Sequence, residues 1–108
     1  MAQSSGTGDP VLGAAVFKKC QSCHQVGDQA KNRVGPQLND IFGRTAGGLE
    51  WAKYSKSMIR AGQDGLIWSE ETLDKFLETP KSLVAKTRMS FRGLKDAEDR
   101  ANLIAYLR

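Results

Sequence analysis

Two cysteines and the chain's one histidine fall within five consecutive residues, Cys20-Gln21-Ser22-Cys23-His24. On a helical turn, thiols three positions apart can each form a thioether to one of the two vinyl groups of a haem. The adjacent imidazole then comes under the iron as an axial ligand. Other chemistries fit less well. A thioredoxin-like dithiol sits where a strand runs into a helix, and this sequence does not alternate strands with helices. A structural zinc ion needs four ligands, more than two cysteines and one histidine supply. A plain disulfide would explain the cysteines and leave His24 a coincidence. The motif is therefore read as the attachment site of one covalent haem c through Cys20 and Cys23, and the chain must fold around a large apolar group.

The rest of the composition agrees. At 108 residues the chain is one domain with a small core. Only 7% of residues are aromatic and the mean hydropathy is −0.45, lean for a core that receives no help from a cofactor. No stretch approaches the roughly 18 to 20 consecutive apolar residues of a membrane span. Residues 1 to 8 are small, polar and glycine-rich, so a disordered tail is expected there, with the domain occupying 9–108. That start has neither the basic nor the apolar region of a signal peptide. Haem attachment to this motif in bacteria takes place outside the cytoplasm. The expectation is thus a periplasmic protein from which a leader has been removed, with Met1 added for expression.

The formal net charge is +4. From Lys81 to Lys95 there are five cations (Lys81, Lys86, Arg88, Arg92 and Lys95) and no acid. Such a run is either a solvated face or a docking surface for an acidic protein partner. Basic patches also mark nucleic-acid binders, but no helix-turn-helix, zinc-finger or aromatic RNA-binding motif accompanies this one, so no nucleic-acid partner is expected.

Capping signals place the helices. Asp9-Pro10 reads as an N-cap followed by proline at the first helical position, opening a helix that runs to the cysteine motif. In it Gly13, Phe17 and Cys20 share one stripe. A glycine inside a helix costs about 1 kcal/mol relative to alanine, which a close helix crossing would explain. Residues 25 to 43 lack periodicity and read as loop. A short helix follows from about Lys56 to Ala61, capped by Ser55 and ended by Gly62. Another begins after Ser69, carries Glu70 and Glu71 in its first turn, buries Leu73, Phe76 and Leu77, and stops at Thr79-Pro80. The last begins after Asp96 and presents Leu103, Tyr106 and Leu107 on one face.

With a single histidine, a sixth iron ligand from this chain would be Met58, Met89 or a lysine, or the position would hold water or nothing. Met58 sits at helical spacing, where methionine is usually core packing. Met89 lies in a non-periodic loop between two helices, 65 residues after His24.

Gly35-Pro36-x-Leu38, then Phe42-Gly43-Arg44, then Thr87-x-Met89-x-Phe91-x-Gly93, all in order after Cys-x-x-Cys-His, resemble the class I cytochromes c of soluble bacterial type. The resemblance covers residues 10 to 108. It implies an all-α cytochrome c fold in which N- and C-terminal helices cross, so that Gly13 and Phe17 meet Leu103 and Tyr106. It implies that the Pro36 carbonyl accepts a hydrogen bond from His24 and raises its basicity. Met89 becomes the second axial ligand, a soft thioether that favours ferrous iron. Arg44, Tyr54, Trp68 and Thr87 match positions that hydrogen-bond or neutralise the haem propionates, whose burial would otherwise be costly. Phe76 departs from the tyrosine of many relatives and lacks its hydroxyl.

With both axial positions filled, no substrate reaches the iron, so no enzyme activity is expected. The resemblance implies a one-electron carrier, a monomer, between a quinol-oxidising cytochrome complex and an oxidase, a photosynthetic reaction centre or another periplasmic redox protein. Lys18, Lys19, Lys81, Lys86, Arg88, Arg92 and Lys95 would ring the haem edge and steer docking. The competing expectation is a peroxidase-like haem enzyme or sensor, which needs a displaceable sixth ligand.

Overall fold

The computed structural model describes residues 8–108. Five helices follow one another: α1 (Pro10–Phe17), α2 (Lys56–Gln63), α3 (Glu70–Glu78), α4 (Pro80–Leu83) and α5 (Ala97–Leu107). Among the described residues there is no strand, only one isolated antiparallel bridge between Thr45 and Ile67. The fold is all-α.

Four of the five helices begin where a side chain can accept a backbone N–H that no helical carbonyl reaches, α4 being the exception. Asp9 caps α1, accepting from Val11 N, with Pro10 at the first position. Ser55 caps α2 through Met58 N at 3.0 Å. Ser69 and Thr72 form a reciprocal capping box on α3, and Asp96 caps α5 by accepting from Glu98 N.

Helix ends were harder to foresee. The first helix stops at Phe17, three residues before the cysteines, and the chain continues through tight turns in which Cys20 N and Gln21 N both donate to Phe17 O. Gly62 does not end α2. It lies inside the helix, where an added Cβ would overlap the carbonyl of Ala46. The stop falls at Gly65, whose positive φ of 105° suits glycine. Gly65 N donates to Gly62 O and Leu66 N to Ala61 O, which is the Schellman pairing. Pro80 ends α3 and also opens the single turn of α4.

The central contact is the crossing of α1 and α5. A Cβ on Gly13 would overlap the carbonyl of Asn102 and press on Tyr106, and Phe17 packs against the Tyr106 ring at 5.3 Å. The missing side chain at Gly13 is what lets the backbones touch. Asn102 adds a polar tie, its Oδ1 accepting from Asp9 N at 2.8 Å. Gly8, assigned from sequence to a loose tail, packs against α5, where a Cβ would overlap Ala101 O. The expected tail at 1–7, with Met1, lies outside the described residues.

Leu103, Ile104 and Val84 are fully buried, and Phe17, Ile41, Trp68, Leu73, Phe76, Leu77 and Leu94 are buried in the same core. Arg100, which the apolar stripe did not flag, is only 7% exposed. Its Nε donates to Asp74 Oδ1 at 2.7 Å and its Nη1 to the carbonyls of Leu94 and Lys95, so the buried charge is paired and its donors used.

Candidate functional site

Cys20 and Cys23 stand half-buried on the turn after α1, neither in a disulfide. Cys23 N and His24 N both donate to Cys20 O, so one turn presents both thiols and the imidazole. Burial pushes the Cys20 thiol above its ordinary range, and Cys23 adds to this against the opposing effect of Lys19. A thiol held protonated is a poor redox nucleophile, which argues against a reactive dithiol.

His24 is positioned from two sides. Its Nδ1 donates to Pro36 O at 2.7 Å, which leaves the ring's lone pair on Nε2. Gly35 lies flat under the ring, since a Cβ there would overlap the imidazole, and Gly35 N is anchored to Cys23 O at 2.9 Å. The glycine before the proline thus makes room for the ring while the proline carbonyl orients it. Burial lowers the His24 pKa; the Pro36 hydrogen bond opposes that and Arg44 nearby adds to it. A neutral imidazole with a free Nε2 is the form that binds iron.

Arg44 reaches back into the loop above it, donating through Nη1 to Asn39 O at 3.0 Å and through Nη2 to Gln37 O at 2.7 Å. Its backbone pairs with Trp68, where Trp68 N donates to Arg44 O and Gly43 N to Trp68 O. Tyr54 lies close enough to Arg44 for each to shift the other's pKa, and burial raises the Tyr54 phenol above its ordinary value. Trp51 braces the Tyr54 ring edge-on at 4.9 Å. Trp68 is buried against Phe76, with ring centroids 5.1 Å apart. The fold therefore links Arg44 to Tyr54, Trp68 and His24, although these residues are far apart in sequence.

Thr87 and Met89 come together on the segment after α4. Thr87 Oγ1 accepts from Met89 N at 3.2 Å, and Met89 is half-buried against the core. Met58 also packs against the core, the role expected for a helical methionine. The segment is held below by Leu94 N donating to Leu77 O, and by Gly93, whose φ of 112° and close approach to Glu78 O both exclude a side chain.

The basic residues separate into two groups. Lys18, Lys19, Lys81, Lys86 and Arg92 are exposed. Lys95 is exposed as well and is also tied to the fold. Its Nζ donates to Glu78 O at 2.7 Å and to Thr79 Oγ1, neutralising the C-terminal end of α3. Arg88, though exposed, donates to Lys53 O at 3.3 Å and ties the methionine segment to the loop that carries Tyr54. Gly35 and Arg88's bond to Lys53 were the site features that sequence reading missed. The Gly-Pro pair signalled the first; nothing in the sequence signalled the second.

The donor set fits a covalent haem: two thiols and an oriented neutral imidazole on one turn, with aromatic and apolar side chains packed around them. A helical fold closed around that turn defines a c-type electron carrier. The chain belongs to the cytochrome c family, whose model, described as "Cytochrome c", matches residues 10–108. It is 48% identical over 96 residues to the cytochrome c2 of Afifella marina, covering 89% of this chain and 77% of that one. It is 48% identical over 100 residues to the cytochrome c2 of Agrobacterium tumefaciens, with 93% and 90% covered. The solved cytochrome c2 of Rhodospirillum centenum superposes with a TM-score of 0.88 at 38% identity, covering 93% of this chain and 96% of the other. The protein is a one-electron carrier with a single haem c held by Cys20 and Cys23, and not an enzyme. No described helix is long and apolar enough to cross a membrane.

Proposed function

We propose that this protein shuttles single electrons in the periplasm, from a quinol-oxidising cytochrome complex to an oxidase or a photosynthetic reaction centre, with iron held between His24 and Met89. When bound, haem iron supplies the one-electron ferric/ferrous couple. His24 contributes Nε2, oriented by Pro36 and given room by Gly35, and Met89 contributes a thioether that favours the ferrous state. Arg44, Tyr54, Trp68 and Thr87 are assigned to the propionate side, where donors offset the cost of buried carboxylates. Lys18, Lys19, Lys81, Lys86 and Arg92 steer an acidic partner toward the haem edge, with Arg88 contributing charge while also bracing the methionine segment.

The observation that supports this reading best is the 2.7 Å hydrogen bond from His24 Nδ1 to Pro36 O, which leaves Nε2 for the metal. The test is an optical spectrum of the purified holoprotein in both oxidation states. A sulfur-to-iron charge-transfer band near the red end of the oxidised spectrum is expected, absent in Met89→Ala and retained in Met58→Leu. A high-spin ferric spectrum of the unaltered protein would overturn the assignment and favour a displaceable sixth ligand. Lys19→Glu is expected to slow the second-order rate with an acidic redox partner without moving the potential, and a rate independent of salt would refute steering.

A further inference from the structure

Among the described residues Arg100 is the one charged side chain that is buried, and the redox site has so far given it no task. Its guanidinium joins three parts of the fold. From α5, Nε donates to Asp74 Oδ1 on α3 at 2.7 Å, and Nη1 donates to Leu94 O at 2.8 Å and to Lys95 O at 3.2 Å. Those two carbonyls stand at the end of the segment that carries Met89. Leu94 is wholly committed to this joint: its N–H donates to Leu77 O at 2.7 Å, its carbonyl accepts from Arg100, and its side chain is 4% exposed. At the segment's other end Val84 is buried and donates its N–H to Pro80 O at 3.0 Å. Between the two joints, among the described residues, no backbone N–H from 88 to 93 reaches a backbone carbonyl. Only the side-chain ties of Thr87 and Arg88 intervene, so the ends of the segment govern where Met89 lies.

We infer that Arg100 is a positioning residue for the sixth iron ligand: by holding Leu94 and Lys95 against α3 and α5, it fixes the point from which the chain reaches back to Met89. The inference rests on the reading that Met89 binds the iron, and adds what holds it there. Arginine suits the task because its rigid fork meets a carboxylate and two carbonyls at once, whereas the lysine ammonium is a single point on a flexible stem. Burial makes the contact matter. Leu94 O has no water to turn to if its donor is removed, and an unpaired acceptor there would favour a displaced segment. Asp74 holds the fork from the α3 side and balances its charge.

The experiment measures how fast added imidazole displaces the sulfur ligand of the ferric holoprotein, followed by loss of the sulfur-to-iron band, and sets each rate beside the variant's denaturant midpoint. Arg100→Met is expected to speed entry roughly tenfold, the scale of one buried acceptor left unpaired. Arg100→Lys, which can serve one carbonyl but not the whole joint, should fall between that variant and the unaltered protein. Asp74→Ala removes the half-exposed partner, leaves the core filled, and should speed entry about threefold. The control is Asn102→Ala on the same helix, which loses stability at the α1–α5 crossing and should leave the entry rate within about twofold. Should Arg100→Met not fold, Arg100→Lys and Asp74→Ala decide the matter. Entry rates that only track lost stability, with Asn102→Ala as fast as the Arg100 variants, would overturn the positioning role and leave Arg100 a structural pair. Unchanged entry in both Arg100→Lys and Asp74→Ala would overturn it as well. A sulfur-to-iron band missing from the unaltered protein would instead overturn the Met89 ligation, and this role with it.

Discussion

The α1–α5 crossing and the methionine segment between α4 and α5 are built on opposite principles. At the crossing, Gly13 brings two backbones into contact, Phe17 stacks on Tyr106, and Asn102 reaches over to accept from Asp9 N. Leu103 and Ile104 behind it are each 1% exposed. Along residues 85–92, five of eight residues are exposed, and the side-chain hydrogen bonds are Thr87 to Met89 and Arg88 to Lys53. Apolar burial is the larger favourable term in folding, so stability is concentrated where the helices cross. The segment that carries Met89 has little of that support. On the proposed ligation, the iron–sulfur bond itself would order much of it, which is how a weakly packed loop can still close a redox site.

Breaking the crossing should have the largest effect. Gly13→Val places a branched side chain where even a Cβ overlaps Asn102 O, and should lower stability by about 1–3 kcal/mol in a circular-dichroism melt. An unchanged Tm would mean that the backbones do not meet as described. Asn102→Ala removes the acceptor for Asp9 N at the same crossing and should cost about 1 kcal/mol, read from the denaturant midpoint. Restoration of wild-type stability by Asn102→Asp would show that the acceptor is what matters. At the loop, Arg88→Gln removes the tie to Lys53 and should cost less than about 1 kcal/mol globally. Its effect should appear locally instead, as faster entry of added imidazole into the ferric protein by severalfold. Arg88→Lys should restore the original rate in part. If Arg88→Gln lowered Tm as far as Gly13→Val, the contrast between the two regions would fail.

Much of this was legible along the chain because it is short-range chemistry. Asp9, Ser55, Ser69 and Asp96 announce helix starts, since an N-cap satisfies N–H groups two or three residues away. The cysteine motif, Pro36 behind His24 and Gly13 facing the last helix were readable on the same terms, the latter two with the help of the family resemblance. The errors came where a distant partner sets a residue's role. Gly62 looked like a helix stop, but it lies within the last turn of α2, where Ala46 O crosses, and Gly65 does the stopping. Lys95, exposed like the other cations of its run, also donates to the end of α3, a tie its place in the sequence did not signal. Arg100 follows Glu98 and Asp99 in sequence, where a solvated charge is the ordinary reading, and is buried because Asp74 and two loop carbonyls meet it. The Gln25 and Asn32 amides could not be read at all, since only folding decides that their oxygens accept from Lys31 N and Gln37 N.

By itself the sequence determined that a haem is covalently attached and where α1, α2, α3 and α5 begin, because thioether spacing and capping act within a few residues. Only the tertiary structure decided which groups remain available for function. A donor or a charge is free only if no distant carbonyl or carboxylate has already claimed it, and those claims, from Arg88 to Lys53, from Lys95 to Glu78 and from Lys31 to Gln25, exist only once the chain has closed.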